Sequence, residues 1–311
     1  MSENPKETHF AYHGTVGRIF RIWLVNILLK IVTLGIYSFW GKTRLRRYIV
    51  GSFSLLNDRF EYTGTGGELF RGFLKALPII ILVYSPLFIW NPEQYPLVQL
   101  IFIPIIFLLI AATYAALRYR LSRTTWRGIR GKLTGSALHY AGLTVGRTLI
   151  NVVTLGIAIP YSDVIVYRYR ANHMHFGSVK VEFHGEGSKL MKINIITLLL
   201  TIPTLGISRL WYIAARIRYF LASTSVNNLT FKGTQTAGNM IGLILGNLVI
   251  LVLTLGLGIS IIIQRNLKYF AKNVIIVGDI ETSGIHQSTE LLGKSGEGMY
   301  GILGEQDIGL L

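Results

Sequence analysis

The chain has 311 residues, 51% of them hydrophobic and only 15% charged, with a mean hydropathy of +0.47. Soluble domains carry about 25% charged residues, so this composition excludes an ordinary soluble domain, and the lack of cysteine excludes thiol catalysis, disulfides and thiolate metal sites. The net charge of +16 is uneven: residues 279–311 hold six acids and one base, leaving 30 bases against 9 acids before them.

Residues 1–9 are polar, mixed in charge and expected to be disordered; they lack the basic start and short apolar core of a signal peptide. From 10 to 278 the sequence predicts a repeated multi-pass membrane domain, with units near 10–59, 60–123, 124–178, 179–226 and 227–278. The charge-free runs 97–117 and 240–263 reach the roughly 20 apolar residues that a membrane helix needs. The triplet TLG recurs at 33–35, 154–156, 204–206 and 254–256, and its glycines, Gly35, Gly156, Gly206 and Gly256, read as repeat turns. Thirteen residues after each stands a tyrosine preceded by a base: Arg47-Tyr48, Arg168-Tyr169, Arg218-Tyr219 and Lys268-Tyr269. A further unit keeps the ending, Arg118-Tyr119, without TLG. An aromatic-x-Gly signature comes before the helices, at Tyr12-Gly14, Tyr62-Gly64, Trp126-Gly128, Phe183-Gly185 and Phe231-Gly233. Alternating residues such as VKVEF (179–183) read as strands, with Asn57-Asp58 and Asn227-Asn228 as hairpin tips. NVIIVG (273–278) reads as a last strand, and residues 279–311 as a polar, acidic, glycine-rich tail.

"FAYHGTVGRIFRIWLVNILLKIVTLGIYSFWGKTRLRRYIV" followed by "FEYTGTGGELFRGFLKA" resembles the YjgN-like family of bacterial inner-membrane proteins, most strongly over 10–75. The resemblance implies a multi-pass inner-membrane protein and carries no activity, substrate or catalytic residue. The unit with IWNPEQYP (89–96) in place of TLG departs from the pattern.

The expected fold is therefore an integral membrane α+β protein of about five repeats, each a short β-strand plus a broken helical hairpin, with strands on the cytoplasmic face. Basic residues at every unit end favour this arrangement, with both termini cytoplasmic, over units that cross once. Its weakness is length, because arms of 13–15 residues reach only about 20–22 Å against a hydrocarbon core of about 30 Å.

Asn26, Arg147, Thr197 and Asn247 each stand nine residues before a TLG glycine. They read as intramembrane polar positions, lining a water path or bonding between helices. The basic-aromatic rim (Arg47, Tyr48, Arg118, Tyr119, Arg168, Tyr169, Arg218, Tyr219, Lys268 and Tyr269) suits lipid headgroups, although stop-transfer charge alone explains it. His173, His175 and His184 match no metal-site spacing. No nucleophile elbow or phosphate loop is present, so no enzyme, catalytic residue, metal or other cofactor is expected. The leading function is a pore or transporter. The alternatives are a lipid-binding or membrane-organising protein without transport, and a scaffold recruiting a protein partner through the tail. Anionic membrane lipids are the expected partners, nucleic acid is not, and homo-oligomerisation stays open.

Overall fold

The computed structural model describes residues 6–89 and 96–280. The tail beyond Ile280 and most of the IWNPEQYP loop lie outside the described residues. The chain opens with β1 (Glu7–His9) and β2 (Ala11–Tyr12), so residues 7–9, expected to be disordered, are strand. Helices α1 (Val16–Val32) and α2 (Ser38–Gly51) follow, then the hairpin β3 (Phe53–Leu55) and β4 (Asp58–Tyr62). Next come α3 (Gly66–Ile89), a short 3-10 helix, α4 (Phe102–Ser122), β5 (Thr124–Trp126) and β6 (Ile129–Leu133). The alternation continues through α5 (Ala137–Val153), α6 (Ile159–Asn172), β7 (Met174–Phe176) and β8 (Val179–Phe183). It ends with α7 (Ser188–Leu199), α8 (Arg209–Ala222), β9 (Thr224–Val226), β10 (Leu229–Gly233), α9 (Ala237–Leu253), α10 (Ile259–Asn273) and β11 (Val274–Val277).

All the described strands belong to one antiparallel sheet, in the order β1-β11-β10-β9-β8-β7-β6-β5-β4-β3-β2. The two edge strands, β1 and β2, are separated in sequence by Phe10 alone, so one bent segment joins both ends of the sheet into a nearly closed barrel. Closure removes the free edges that short strands would otherwise expose. Left-handed residues make the hairpin turns: Leu56 and Asn57, Arg127 and Gly128, and Asn227 all have positive φ, the geometry of two-residue hairpin loops.

The barrel interior is filled by apolar side chains. Leu55, Trp126 and Ile276 are buried there, with Phe10, Phe60, Phe176, Leu229 and Phe231 packed against them. Several face each other across the ladder, as Phe60↔Trp126, Gly131↔Phe176 and Phe231↔Ile276. Ring centroids run 6.2, 6.0 and 6.2 Å through Phe10, Phe60, Trp126 and Phe176. Gly131, opposite Phe176, lies close against α4, where a Cβ would stand 3.0 Å from Leu121 O.

The helices pack in chain order beside the sheet, the 3-10 helix lies between α3 and α4, and α10 returns to pack on α1. One hydrogen bond recurs where each strand leaves for its helix. His13 N donates to Ser52 O, Thr63 N to Arg123 O, Thr134 N to His173 O, His184 N to Ser223 O and Thr234 N to Asn273 O, all within 2.8–3.0 Å.

This architecture corrects the expected integral-membrane fold of repeated broken hairpins over a cytoplasmic strand layer. Strands come as paired hairpins, and they close on each other as one barrel-like sheet rather than forming a layer. Among the described residues, only the stretch Gln99–Ser122 is long and apolar enough to cross a membrane. The helices joined by TLG have 12 to 17 residues, about 18–26 Å at 1.5 Å per residue, which falls short of a full crossing.

Two aromatic-x-Gly copies also change register. At Tyr12-Gly14, Tyr62-Gly64 and Phe183-Gly185 the ring folds over its own glycine, so a Cβ there would lie 2.1, 2.7 and 2.2 Å from ring atoms. Trp126-Gly128 instead spans the β5–β6 hairpin turn, where Gly128 has φ +77°. Judged by the recurring strand-exit bond, Gly135 and Gln235 are the counterparts of Gly14, Gly64 and Gly185. Phe231 therefore sits two residues early and points into the barrel plug.

Candidate functional site

Four turns share one construction. In each, leucine and glycine are both left-handed: Leu34 and Gly35 at φ 49° and 93°, Leu155 and Gly156 at 49° and 86°, Leu205 and Gly206 at 50° and 85°, Leu255 and Gly256 at 49° and 87°. A glycine in the second place accommodates a conformation that other residues resist. The glycine N–H donates five residues back, to Lys30, Asn151, Thr201 and Leu251 carbonyls, at 2.7–2.9 Å, closing α1, α5 and α9 as a Schellman-type cap and, at Thr201, closing the turn that follows α7. The threonine hydroxyl works in both directions. Thr33, Thr154, Thr204 and Thr254 Oγ1 donate to the carbonyls of Leu29, Ile150, Leu200 and Ile250 at 2.6–2.8 Å. The same oxygens accept from the backbone N–H of Tyr37, Ala158, Ser208 and Gly258 at 2.8–3.2 Å.

The turn leucines face outward, with Leu34, Leu155, Leu205 and Leu255 at 94%, 82%, 92% and 91% exposure. Their neighbours Val32, Val153, Ile202 and Leu253 are also strongly exposed. A threonine, rather than any apolar residue, was the missed functional element of TLG; its place immediately before two left-handed residues was the available signal.

At the opposite ends of these helices, the rim residues bind the protein's own backbone. Arg47 Nη2 donates to Gly64 O at 3.1 Å and Arg168 Nη2 to Gly185 O at 2.6 Å. Arg118 and Arg218 do the same to Gly135 O and Gln235 O. Each arginine thus reaches forward 17 residues to the start of the following helix pair. The tyrosines reach back: Tyr48, Tyr169 and Tyr219 Oη accept from Thr15, Ser136 and Glu186 N–H at 2.8, 2.8 and 2.7 Å. They fill the capping role that a side chain usually performs at a helix start. Tyr119 departs from this pattern, donating to Glu68 Oε2 at 2.7 Å beside Arg123 at 3.1 Å. Tyr269 Oη is buried without a partner, and Lys268 shows no arginine-like clasp.

Of the four polar positions expected to be intramembrane, Asn26, Thr197 and Asn247 bond within their own helix pair. Asn26 Nδ2 donates to Gly41 O at 3.0 Å. Asn247 Nδ2 donates to Asn266 Oδ1 at 2.8 Å and its Oδ1 accepts from Arg265 Nε at 3.1 Å. Thr197 Oγ1 accepts from Arg209 Nη1 at 3.2 Å. Arg147 is half-buried on α5.

A charged cluster between α6, α7 and α8 escaped the sequence reading. Asp163 Oδ2 accepts from Tyr212 Oη at 2.9 Å and from Arg216 Nη1 at 2.8 Å. Arg209 lies 4.8 Å over the Tyr212 ring and donates to Asn194 Oδ1 at 3.1 Å. Asn194, fully buried, spends its Nδ2 on the Gly156 and Ile157 carbonyls at 3.1 and 3.2 Å, so α7 secures the turn of the preceding pair. The readable signal was Asp163, an acid inside the apolar and aromatic stretch IPYSDVIVY.

His173 and His175 turn a ring nitrogen to backbone carbonyls, whereas His184 Nε2 lies 3.4 Å from Glu182 Oε2. His173 Nδ1 lies 2.7 Å from Tyr169 O, and His175 Nδ1 lies 3.2 Å from His173 O. Burial lowers the His175 pKa below the ordinary imidazole value, aided by Lys132 and Lys180.

The chain matches the family described as "Bacterial protein of unknown function (DUF898)" over residues 7–182, 178–232 and 209–302. It is 29% identical over 148 residues to "Inner membrane protein YjgN" of Escherichia coli K12, covering 47% of this chain and 36% of that protein. The protein of that name in Escherichia coli O157:H7 is 33% identical over 122 residues, 39% of this chain and 30% of the relative. In Salmonella typhimurium LT2 it is 40% identical over 86 residues, 27% of this chain and 22% of the relative. The aligned stretches thus span about a third or less of these relatives' lengths. No solved structure matches the chain. The relatives' names support a bacterial inner-membrane location. With matches along most of its length, from the first strand into the tail, the chain belongs to this YjgN-like family of bacterial proteins of unknown function.

Proposed function

We propose that the protein is a membrane-embedded, lipid-organising protein whose working surface is its exposed apolar helix ends. The supporting observation is the division between its two ends. Leu34, Leu155, Leu205, Leu255 and their apolar neighbours are left uncovered at the turns, whereas the sheet end closes around a filled aromatic interior. Exposed apolar surface on this scale marks a membrane or interaction site. A plugged barrel supplies no water path through the sheet.

Reconstitution in phosphatidylethanolamine–phosphatidylglycerol vesicles tests this reading. A polarity-sensitive probe in the bilayer should report altered lipid packing with increasing protein, while an entrapped ionic dye stays inside. Dye or ion release with unchanged lipid packing would reject it.

Transport remains a second reading because Asp163, Arg216 and Arg209 place ionisable groups among the helices, where such residues often mark pathways. Ion flux abolished by Asp163→Asn in correctly folded protein would favour it.

A further inference from the structure

The outward side of the sheet carries a cluster of basic groups that neither the helix ends nor the turns use. On β6, β7 and β8, Leu133, Phe176, Val181 and Phe183 pack into the apolar clusters. Side chains alternate along a strand, so Lys132, His175 and Lys180 stand on the opposite face. Register sets these three in one row: Lys132 is opposite His175, and His175 is opposite Lys180. The two lysines are two strand spacings apart, about 10 Å between Cα atoms.

Like charges placed directly opposite destabilise a sheet, and neighbouring rows avoid them. Glu61, Thr125 and Arg130 mix signs in one row, and Glu182, Ser225 and Thr230 hold a single charge in another. Elsewhere on the sheet charge is neutralised, Lys232 by Glu7 at 2.9 Å and Arg127 by Asp58. Glu182, two residues along β8 from Lys180, lies 3.4 Å from His184. Lys132 and Lys180 have no carboxylate partner among the described residues. His175 registers the crowding, because burial lowers its pKa and both lysines lower it further.

We propose that this row is a phosphate-binding site, with the Lys132 and Lys180 ammonium groups closing on one phosphate across the His175 ring. Lysine is a compact charge on a flexible stem, so the two side chains can converge on a single anion between them. A phosphate presents several acceptor oxygens, and contacts between ionised partners are the strong ones. One bound anion thus replaces repulsion within the row by two favourable contacts. The site lies on the sheet and stands apart from the role given to the helix ends. Two sources share the required chemistry: the headgroup of an anionic phospholipid and a soluble phosphate ester.

Calorimetric titration of the full chain in maltoside micelles separates these sources. One arm uses glycerophosphoglycerol, a soluble phosphodiester; the other uses phosphatidylglycerol dissolved in the same micelles. K132Q/K180Q should weaken binding about tenfold, as expected for two exposed charge pairs. K6Q/K232Q removes as much charge from the sheet and should change binding less than about twofold. Without ligand, the thermal midpoint of K132Q/K180Q should rise because repulsion in the row is relieved, which separates lost binding from lost folding. Loss confined to the phosphatidylglycerol arm identifies a lipid headgroup, and loss in both arms a site open to soluble phosphate esters. Wild-type protein that binds neither probe, or an equal loss in K6Q/K232Q, overturns the proposal.

Discussion

Two junctions between neighbouring helix pairs show how one plan tolerates different degrees of fastening. At the internal junction between α6 and the segment leading to α7, Arg168 clasps Gly185 O, Asn194 secures the Gly156 turn, and Phe183 packs with Tyr167 and Phe220 at centroid distances of 4.8 and 5.2 Å. At the closing junction between α10 and α1, the equivalent carbonyl, Gly14 O, is held by Gln264 Nε2 at 2.8 Å. Tyr12 and Tyr269 hydroxyls there are buried without partners, and burial together with Tyr48 pushes the Tyr12 pKa up to about 12. Compensation comes from the chain ends: Gly278 N bonds Lys6 O at 3.0 Å and Lys232 pairs with Glu7 at 2.9 Å. A junction closed by strand pairing needs less from its side chains than one continuous in sequence.

The sharpest break of this contrast is Arg168→Ala. Losing a charge-assisted bond to a carbonyl should cost about 1.5–3 kcal/mol, whereas Lys268→Ala should change stability by less than about 0.5 kcal/mol; denaturant titration in detergent measures both. If the two variants are equally destabilised, the junctions do not differ as described.

A smaller gap separates two glycines. Gly185→Ala meets the buried Phe183 ring, and overpacking of this kind costs about 1–3 kcal/mol. Gly14→Ala meets Tyr12, a half-buried ring with no hydroxyl bond holding it, and its midpoint should move less. Removing hydroxyls gives a still finer comparison. Tyr219→Phe should lose about 1 kcal/mol, one ordinary hydrogen bond, while Tyr269→Phe should be neutral or slightly stabilising because no bond is lost.

The mildest effect is a pH dependence on the internal side. His175 on β7 has a lowered pKa, chiefly from burial, so the unfolded chain binds its proton more readily. Stability should therefore hold above about pH 6.5, the unperturbed value, and fall as acid carries the solution towards the lower folded pKa. His175→Gln should flatten that limb of the stability profile. An unchanged acid limb would assign it to other groups.

Several local features were legible in the sequence because short-range chemistry decides them. TLG marked the four turns, since glycine suits a left-handed cap, and the Arg-Tyr endings marked the helix ends that the structure ties down. Within NVIIVG, Val274–Val277 are strand, as the run of β-branched residues suggests, while Asn273 ends α10. The register of aromatic-x-Gly was less readable at Trp126 and Phe231, because the same three letters serve a hairpin turn, a barrel plug and a glycine beneath a ring. Only spatial neighbours distinguish these uses. Asp163 was visible as a letter but not as a site, because its partners Tyr212 and Arg216 lie 49 and 53 residues away.

By itself, then, the sequence determined an apolar, basic chain with recurring turns and helix ends, because composition and i-to-i+5 chemistry are local. Tertiary structure alone decided that the strands close into one plugged sheet through the bend at Phe10, and that the rim arginines hold backbone carbonyls 17 residues ahead. Both depend on pairing between separated segments, whose register follows from how hydrogen bonds and buried volume are satisfied together.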